Sequence, residues 1–138
     1  MSCAVDSNVC IAILRNKAPI VARRLAAEFA AGRTVALPSI VLFELRYGIE
    51  RSPRPDHNRR QLEALLKAPF RHLPFEEEDA VIAARIRADL AAAGTPIGAY
   101  DILIAAQALR TGSTLVTNNT GEFRRVQGLA LADWTASS

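Results

Sequence analysis

The sequence has few cysteines, few aromatic residues and almost no lysine. Its 138 residues include two cysteines, and aromatic residues make up 6% of the chain. Cys3 and Cys10 are too few for a disulfide framework, and their spacing does not match a C-x-x-C redox motif. No apolar run is long enough to span a membrane, and the N-terminus lacks the features of a signal peptide. We therefore expect a cytoplasmic protein with no membrane partner.

The positive charge is carried almost entirely by arginine. The formal net charge is +3, and only Lys17 and Lys67 are lysines. Arginine presents a planar fork that suits phosphate groups, which is compatible with a nucleic-acid ligand. A bias in genomic base composition produces the same preference, so the charge alone does not select a ligand.

Short apolar segments alternate with helical patterns along the chain, which predicts an α/β fold with a mainly parallel sheet. The length suits one domain over residues 1–138. The predicted strands cover residues 3–6, 34–37, 70–74, 114–117 and a last segment near 129–131. The predicted helices cover residues 7–15, 19–32, 40–50, 59 to about 68, 76–93 and 99–110. Ser7 or Asn8 is the expected cap of the first helix. A polar loop is expected at residues 51–58, before the fourth helix.

Ligands of parallel α/β folds bind beyond the carboxyl ends of the strands. Two predicted strand ends carry polar residues, at Asp6 and at residues 117–119. Asp6 also precedes a predicted helix, where an acid can act as the N-cap. Its position alone does not distinguish a helix cap from a ligand.

Glu44 occupies an unusual place for a charged residue. On a helical wheel at about 100° per residue, it shares a face with Ile40, Val41 and Gly48. A glutamate on an apolar face is costly unless it is paired or binds a cation. Two interpretations are open, a buried ion pair with an arginine and a cation site.

Asp101 repeats this pattern near the start of a later predicted helix, where it shares a face with Ile104, Ala105 and Ala108. Helix capping does not explain three inward-facing acids at strand and helix ends on one side of a sheet. Clustered carboxylates repel each other and favour hard cations such as Mg²⁺ or Mn²⁺. Such a site can polarise a phosphoryl group and lower the pKa of a bound water. The residues therefore predict metal-assisted phosphodiester hydrolysis.

Four blocks and a tail of the sequence resemble PIN-domain proteins, and specifically the VapC toxins of bacterial toxin–antitoxin pairs. The resemblance covers essentially the whole chain, in the order and spacing of that group. The matching segments are residues 5–11 (VDSNVCI), 39–48 (SIVLFELRYG), 86–90 with 94–101 (IRADL, GTPIGAYD), 115–123 (LVTNNTGEF), and 126–129 with Trp134.

The resemblance implies a three-layer α/β/α sandwich and an Mg²⁺- or Mn²⁺-dependent endoribonuclease that leaves 5′-phosphate and 3′-hydroxyl ends. It implies a homodimer held inactive by a VapB-type antitoxin, with DNA bound indirectly through the antitoxin, in a bacterial cytoplasm. The RNA substrate could be a tRNA. By position in the motifs, the metal ligands are Asp6 and Asp101, Glu44 is the third acid, and Ser7 and Asn8 steady the first aspartate.

The match is weaker after the fourth strand. Many PIN domains place an aspartate where this chain has Asn119, close after Thr117, and Glu122 is the nearest carboxylate. Either residue could complete the site, and a second metal is not assured.

Two other functions fit the same resemblance. One is a PIN-fold protein that acts mainly by binding its antitoxin in a DNA-bound repressor, and the other is a nuclease of RNA processing. If the chain cleaves RNA, Arg46, Arg85 and Arg87 are candidates to steer the substrate.

Overall fold

The computed structural model describes residues 2–135, which form five strands and seven helices. The strands are β1 (Cys3–Val5), β2 (Val35–Pro38), β3 (Arg71–Leu73), β4 (Thr114–Val116) and β5 (Leu131–Ala132). The helices are α1 (Ser7–Leu14), α2 (Pro19–Ala30), α3 (Ser39–Glu50), α4 (Pro55–Leu65), α5 (Glu77–Ala92), α6 (Ala99–Arg110) and α7 (Thr120–Phe123). Within residues 2–135, no helix has both the length and the apolar character needed to cross a membrane.

The strands form one sheet in the order β3-β2-β1-β4-β5, and every described pairing is parallel. All residues of β1 and β2 are buried. Because successive side chains of a strand point to opposite faces, this burial requires packed helices on both faces. The predicted α/β fold with helices above and below a parallel sheet is confirmed.

The central strand β1 is also the point where the chain changes direction across the sheet. After β1 the chain builds outward through β2 and β3, and it then returns to add β4 and β5 on the other side. Val5 of β1 lies in register with Val116 of β4. The residues that follow these two strands therefore lie side by side at the carboxyl edge, where open α/β sheets bind their ligands.

Apart from shifts of one to three residues at the ends of elements, such as β5 at Leu131–Ala132 rather than near 129–131, the predicted elements differ from the structure in three places. Helix α4 begins at Pro55, so the prediction of a polar loop to residue 58 was wrong. Proline suits the first turn of a helix because its missing N–H needs no partner there. The N-cap of α1 is Asp6 rather than Ser7 or Asn8. The four-residue helix α7 was not predicted at all.

A buried ion pair fixes helix α6 to helix α5. Asp79 is fully buried and accepts hydrogen bonds from Arg110 Nε at 2.5 Å and from the backbone N–H of Glu76 at 2.8 Å. The second bond forms half of a capping box at the start of α5. Helix α6 carries Asp101 at its other end, so this contact helps to position a candidate site residue.

Candidate active site

The carboxyl ends of β1 and β4 bring Asp6 and Thr117 together. The backbone N–H of Asp6 donates to the carbonyl of Val116 at 3.0 Å, which continues the ladder between the two strands. Thr117 is fully buried, and its hydroxyl donates to Asp6 Oδ2 at 2.8 Å. One carboxylate oxygen of Asp6 is therefore held by a residue from the neighbouring strand.

The other oxygen of Asp6 caps helix α1. Asp6 Oδ1 accepts the backbone N–H of Ser7 at 2.8 Å, while the Asp6 side chain is 1% exposed. Burial raises the pKa of Asp6, and the hydrogen bonds from Thr117 and Ser7 oppose that rise. The two interpretations of Asp6 are thus compatible, since the residue caps a helix and also lies at the ligand-binding edge.

Ser7 connects the first acid to Glu44 on helix α3. Its hydroxyl donates to Glu44 Oε1 at 2.8 Å and lies 3.4 Å from Asp6 Oδ1. Burial raises the pKa of Glu44, Ser7 opposes the rise, and the negative charge of Asp6 adds to it. Among the ion pairs of residues 2–135, none involves Glu44, whereas Arg46 pairs with Glu63 at 2.7 Å. The interpretation of Glu44 as one half of a buried ion pair was therefore wrong.

Asp101 lies in the first turn of α6, near enough to the other carboxylates to interact with their charges. Burial, followed by the negative charges of Asp6, Glu122 and Glu44, raises its pKa to about 7. Gly98, the N-cap of this helix, gives the carboxylate room, because a Cβ on Gly98 would lie 3.2 Å from Asp101 Oδ2. The four acids are thus electrostatically coupled although they come from distant parts of the chain.

Helix α7 brings Glu122 to the same cluster. The negative charge of Glu122 contributes to the raised pKa of Asp101, and its Oε2 accepts from Asn119 Nδ2 at 2.9 Å. The backbone N–H of Asn119 donates to the hydroxyl of Thr117 at 2.9 Å. Asn119 therefore orients Glu122, and Glu122 supplies the fourth carboxylate of the cluster.

Other candidates from the sequence lie outside this network. Asn8 is exposed and lines the groove beside Ser7, and none of the described hydrogen bonds joins it to Asp6. Arg85 and Arg87 are exposed on α5 and do not line this groove. The role of Asn8 in steadying Asp6 is therefore not supported by a contact.

The sequence interpretation missed three exposed aromatic residues next to the acids. Phe43 directly precedes Glu44, Tyr47 follows one helical turn later, and Tyr100 directly precedes Asp101. The signal was present in the sequence as an i, i+4 pair of aromatic residues on the helix that carries Glu44.

Comparison with known proteins matches residues 3–129 to the PIN domain. The chain belongs to the PIN-domain family. Within it the chain is a member of the VapC ribonucleases, as its relatives indicate. It is 35% identical over 130 residues to the "tRNA(fMet)-specific endonuclease VapC" of Salmonella typhimurium (strain LT2), covering 94% of this chain and 96% of the relative. It is 37% identical over 131 residues to the protein of the same name from Shigella flexneri, and the match covers 95% of this chain and 96% of that relative.

The fold is also found in a solved VapC complex. The structure of VapBC2 from Rickettsia felis, bound to a DNA fragment from its promoter, superposes with a TM-score of 0.91 at 31% identity. The match covers 97% of this chain and 99% of the other. The sequence resemblance to PIN-domain proteins of the VapC group is therefore confirmed.

Nucleases of the PIN family generally use a divalent metal, and the donor set of this VapC chain suits one chemically. Asp6, Glu44, Asp101 and Glu122 offer only oxygen atoms, which Mg²⁺ and Mn²⁺ prefer. Within residues 2–135, no three His, Cys, Asp or Glu side chains already stand close enough together to hold an ion. Burial and nearby negative charge raise the pKa of Asp101, so a cation bound at this cluster would displace protons from it.

Proposed function

We propose that this VapC-group ribonuclease is the toxin of a VapB–VapC pair and cleaves RNA phosphodiester bonds with the help of Mg²⁺ or Mn²⁺. The observation that carries the proposal is the convergence of four coupled carboxylates at the carboxyl ends of the adjacent strands β1 and β4. Like charges in a buried cluster are costly unless a cation or protons compensate for them. A phosphodiester substrate supplies the negative ligand that such a cation would bind.

Each residue has a distinct part in the proposed site. Asp6 and Asp101 would hold the cation, and Asn119 and Glu122 would complete that side of the cluster. A bound divalent cation neutralises charge on the phosphoryl oxygens and makes water easier to deprotonate. Thr117 and Ser7 hold Asp6 in one orientation through two hydrogen bonds, one from the Thr117 hydroxyl and one from the Ser7 backbone N–H.

Glu44 is the residue best suited to accept the proton of the attacking water. The Ser7 hydroxyl occupies Oε1 of Glu44, and Glu44 Oε2 has no protein partner among the described hydrogen bonds. Burial raises the pKa of this carboxyl. A base whose pKa approaches the working pH accepts and releases protons more effectively than an ordinary glutamate.

The relatives support specific partners. Those from Salmonella and Shigella carry names that specify a tRNA substrate, and the Rickettsia structure contains a VapB–VapC complex on promoter DNA. By analogy we propose a tRNA as the RNA substrate and a VapB-type antitoxin as the protein partner. We also propose a homodimer that associates with DNA through that antitoxin, in a bacterial cytoplasm.

The test is RNA cleavage by the purified full-length protein with Mg²⁺, with EDTA, and as the Asp6→Asn variant. Asn keeps the shape of the helix cap and removes the charge. We expect cleavage in the first case only, while the exposed Asp89→Asn control cleaves like the wild type. Equal cleavage in all three cases would overturn the proposed mechanism.

Expression in bacteria separates the enzyme from a binding-only role. Growth arrest that disappears with Asp101→Ala supports a nuclease toxin. Arrest that persists with Asp101→Ala, in a protein that still folds by circular dichroism, supports action through partner binding instead.

A further inference from the structure

Three large aromatic side chains are exposed at the rim of the carboxylate cluster. Phe43, Tyr47 and Tyr100, which we name the aromatic patch, are 47%, 58% and 48% exposed. The rings of Phe43 and Tyr47 are nearly parallel, with an interplanar angle of 12° and centroids 6.5 Å apart. The ring of Tyr100 lies 5.4 Å from that of Phe43, so the patch bridges helices α3 and α6. Three of the five large hydrophobic side chains exposed on residues 2–135 thus lie together, and such clustering is typical of an interaction site.

The aromatic patch is continuous with the proposed catalytic site. Its three residues line one groove of about 970 Å³ together with Ser7 and Glu44. Two patch residues are sequence neighbours of acids, since Phe43 precedes Glu44 and Tyr100 precedes Asp101. A substrate whose phosphate reaches the carboxylates would therefore place its adjoining groups on these rings.

The same groove contains cationic side chains that suit a phosphate backbone. The Arg51 guanidinium lies 5.5 Å from the centroid of the Tyr47 ring, and Arg15 also lines the groove. Aromatic rings beside arginine are the combination that binds single-stranded nucleic acid, because bases stack on the rings while cations follow the backbone. The two arginines supply positive charge for a phosphate backbone in a groove that also contains Glu44.

We propose that the aromatic patch is a stacking platform for an unpaired base next to the scissile phosphate of single-stranded RNA. This inference rests on the proposed nuclease function. It adds which part of the substrate the protein recognises, an unpaired base beside the cleaved phosphate. Stacking holds the base by its face, so the platform selects unpaired RNA over duplex RNA rather than one base over another.

Kinetics on an RNA with a mapped cleavage site test the platform. We expect Tyr47→Leu and Tyr100→Leu to raise KM by about 5- to 150-fold, the range that base–aromatic stacking supplies, with kcat nearly unchanged. Tyr47→Phe keeps the ring and should behave like the wild type. Val81→Ala, at an exposed apolar residue on α5, is the control for a general surface effect.

An RNA that lacks one base separates stacking from a structural role. The substrate is made with an abasic nucleotide on either side of the cleaved phosphate. At the nucleotide that stacks, base removal and Tyr47→Leu should each weaken binding, and the two changes together should cost no more than one alone. Fully additive losses at both nucleotides would overturn the proposal.

A binding assay distinguishes failure of the platform from failure of the nuclease function. The Asp6→Asn protein with Mg²⁺ is titrated into single-stranded RNA carrying 2-aminopurine, whose fluorescence falls when the base stacks. Quenching that is lost in Tyr47→Leu supports the platform even if the wild type cleaves no RNA. If the wild type cleaves RNA and the leucine variants bind and quench normally, the platform is wrong and the nuclease stands. Weaker self-association or antitoxin binding with unchanged RNA affinity would instead assign the patch to a protein contact.

Discussion

Thr117 Oγ1 lies 2.8 Å from Asp6 Oδ2, although 111 residues separate the two in the sequence. The same hydroxyl accepts the backbone N–H of Asn119 at 2.9 Å. A single buried oxygen therefore links the ends of β1 and β4 to the segment that leads to Glu122.

Replacing Thr117 with valine keeps the shape of the side chain and removes this link. The buried Asp6 carboxylate loses a donor and the Asn119 N–H loses its acceptor, which should lower the free energy of unfolding by about 1–3 kcal/mol. Urea denaturation measures the change, and RNA cleavage should fall with it. Thr117→Ser keeps the hydroxyl and should retain most of both properties. Equal stability of the valine and serine variants would contradict the role of the hydroxyl.

Ser7→Ala removes the hydroxyl that donates to Glu44 but keeps the backbone N–H that donates to Asp6. The hydrogen bond from Ser7 lowers the pKa of Glu44, so its loss should raise that pKa further. The acid limb of the pH–rate profile should then move to higher pH, with a larger loss of activity at pH 6 than at pH 8. Ser113→Ala, at another buried serine, is the matched control. A uniform loss at all pH values would indicate a structural effect alone.

The stability of the metal-free protein should decrease as the pH rises from about 4 to about 7. Asp101 has a folded pKa of about 7 against an ordinary value of 3.8, so the folded state binds more protons in that interval. Raising the pH removes those protons and costs the folded state more than the unfolded state. Thermal denaturation in EDTA measures the slope.

The Asp101→Asn variant identifies the residue responsible for this slope. It should melt at a higher temperature than the wild type at pH 7.5 in EDTA and lose part of the pH dependence. Asp6 and Glu44 also have raised pKa values, and they supply the remainder. Asp89→Asn should leave the slope unchanged. An Asp101→Asn variant with the same pH dependence as the wild type would contradict the raised pKa of Asp101.

Asp79→Ala should destabilise the protein by about 3–5 kcal/mol, the usual cost of breaking a buried ion pair from one side. Asp79 is fully buried, and the Arg110 side chain is only 16% exposed. The exposed Glu78→Gln variant removes a charge from the same helical turn and should cost little. Chemical denaturation of both variants makes the comparison. Similar small losses in both would mean that Arg110 finds another partner.

The fold was largely predictable because its signals are local. The alternation of buried strands and amphipathic helices indicated a parallel sheet, and glycine marked the ends of several helices. Helix α7 was missed because four residues are too few for a periodic pattern. The start of α4 was missed because Pro55 and Asp56 are equally typical of a loop and of a first helical turn.

The site was predictable only in part. The face on which Glu44 lies showed that it was unusual, but the identity of its partner depends on Ser7, 37 residues away. The choice between Asn119 and Glu122 could not be made from spacing, because it depends on how α7 turns toward α6. Local sequence does not specify such contacts between distant segments.

The exposed loop between α3 and α4 divides the four carboxylates of the proposed site evenly. Asp6 and Glu44 lie before it, and Asp101 and Glu122 lie after it. A chain cut at this loop yields two fragments that each retain half of the carboxylates and part of a shared sheet. Neither fragment would be toxic alone, and restored cleavage after mixing would report that the two had reassembled.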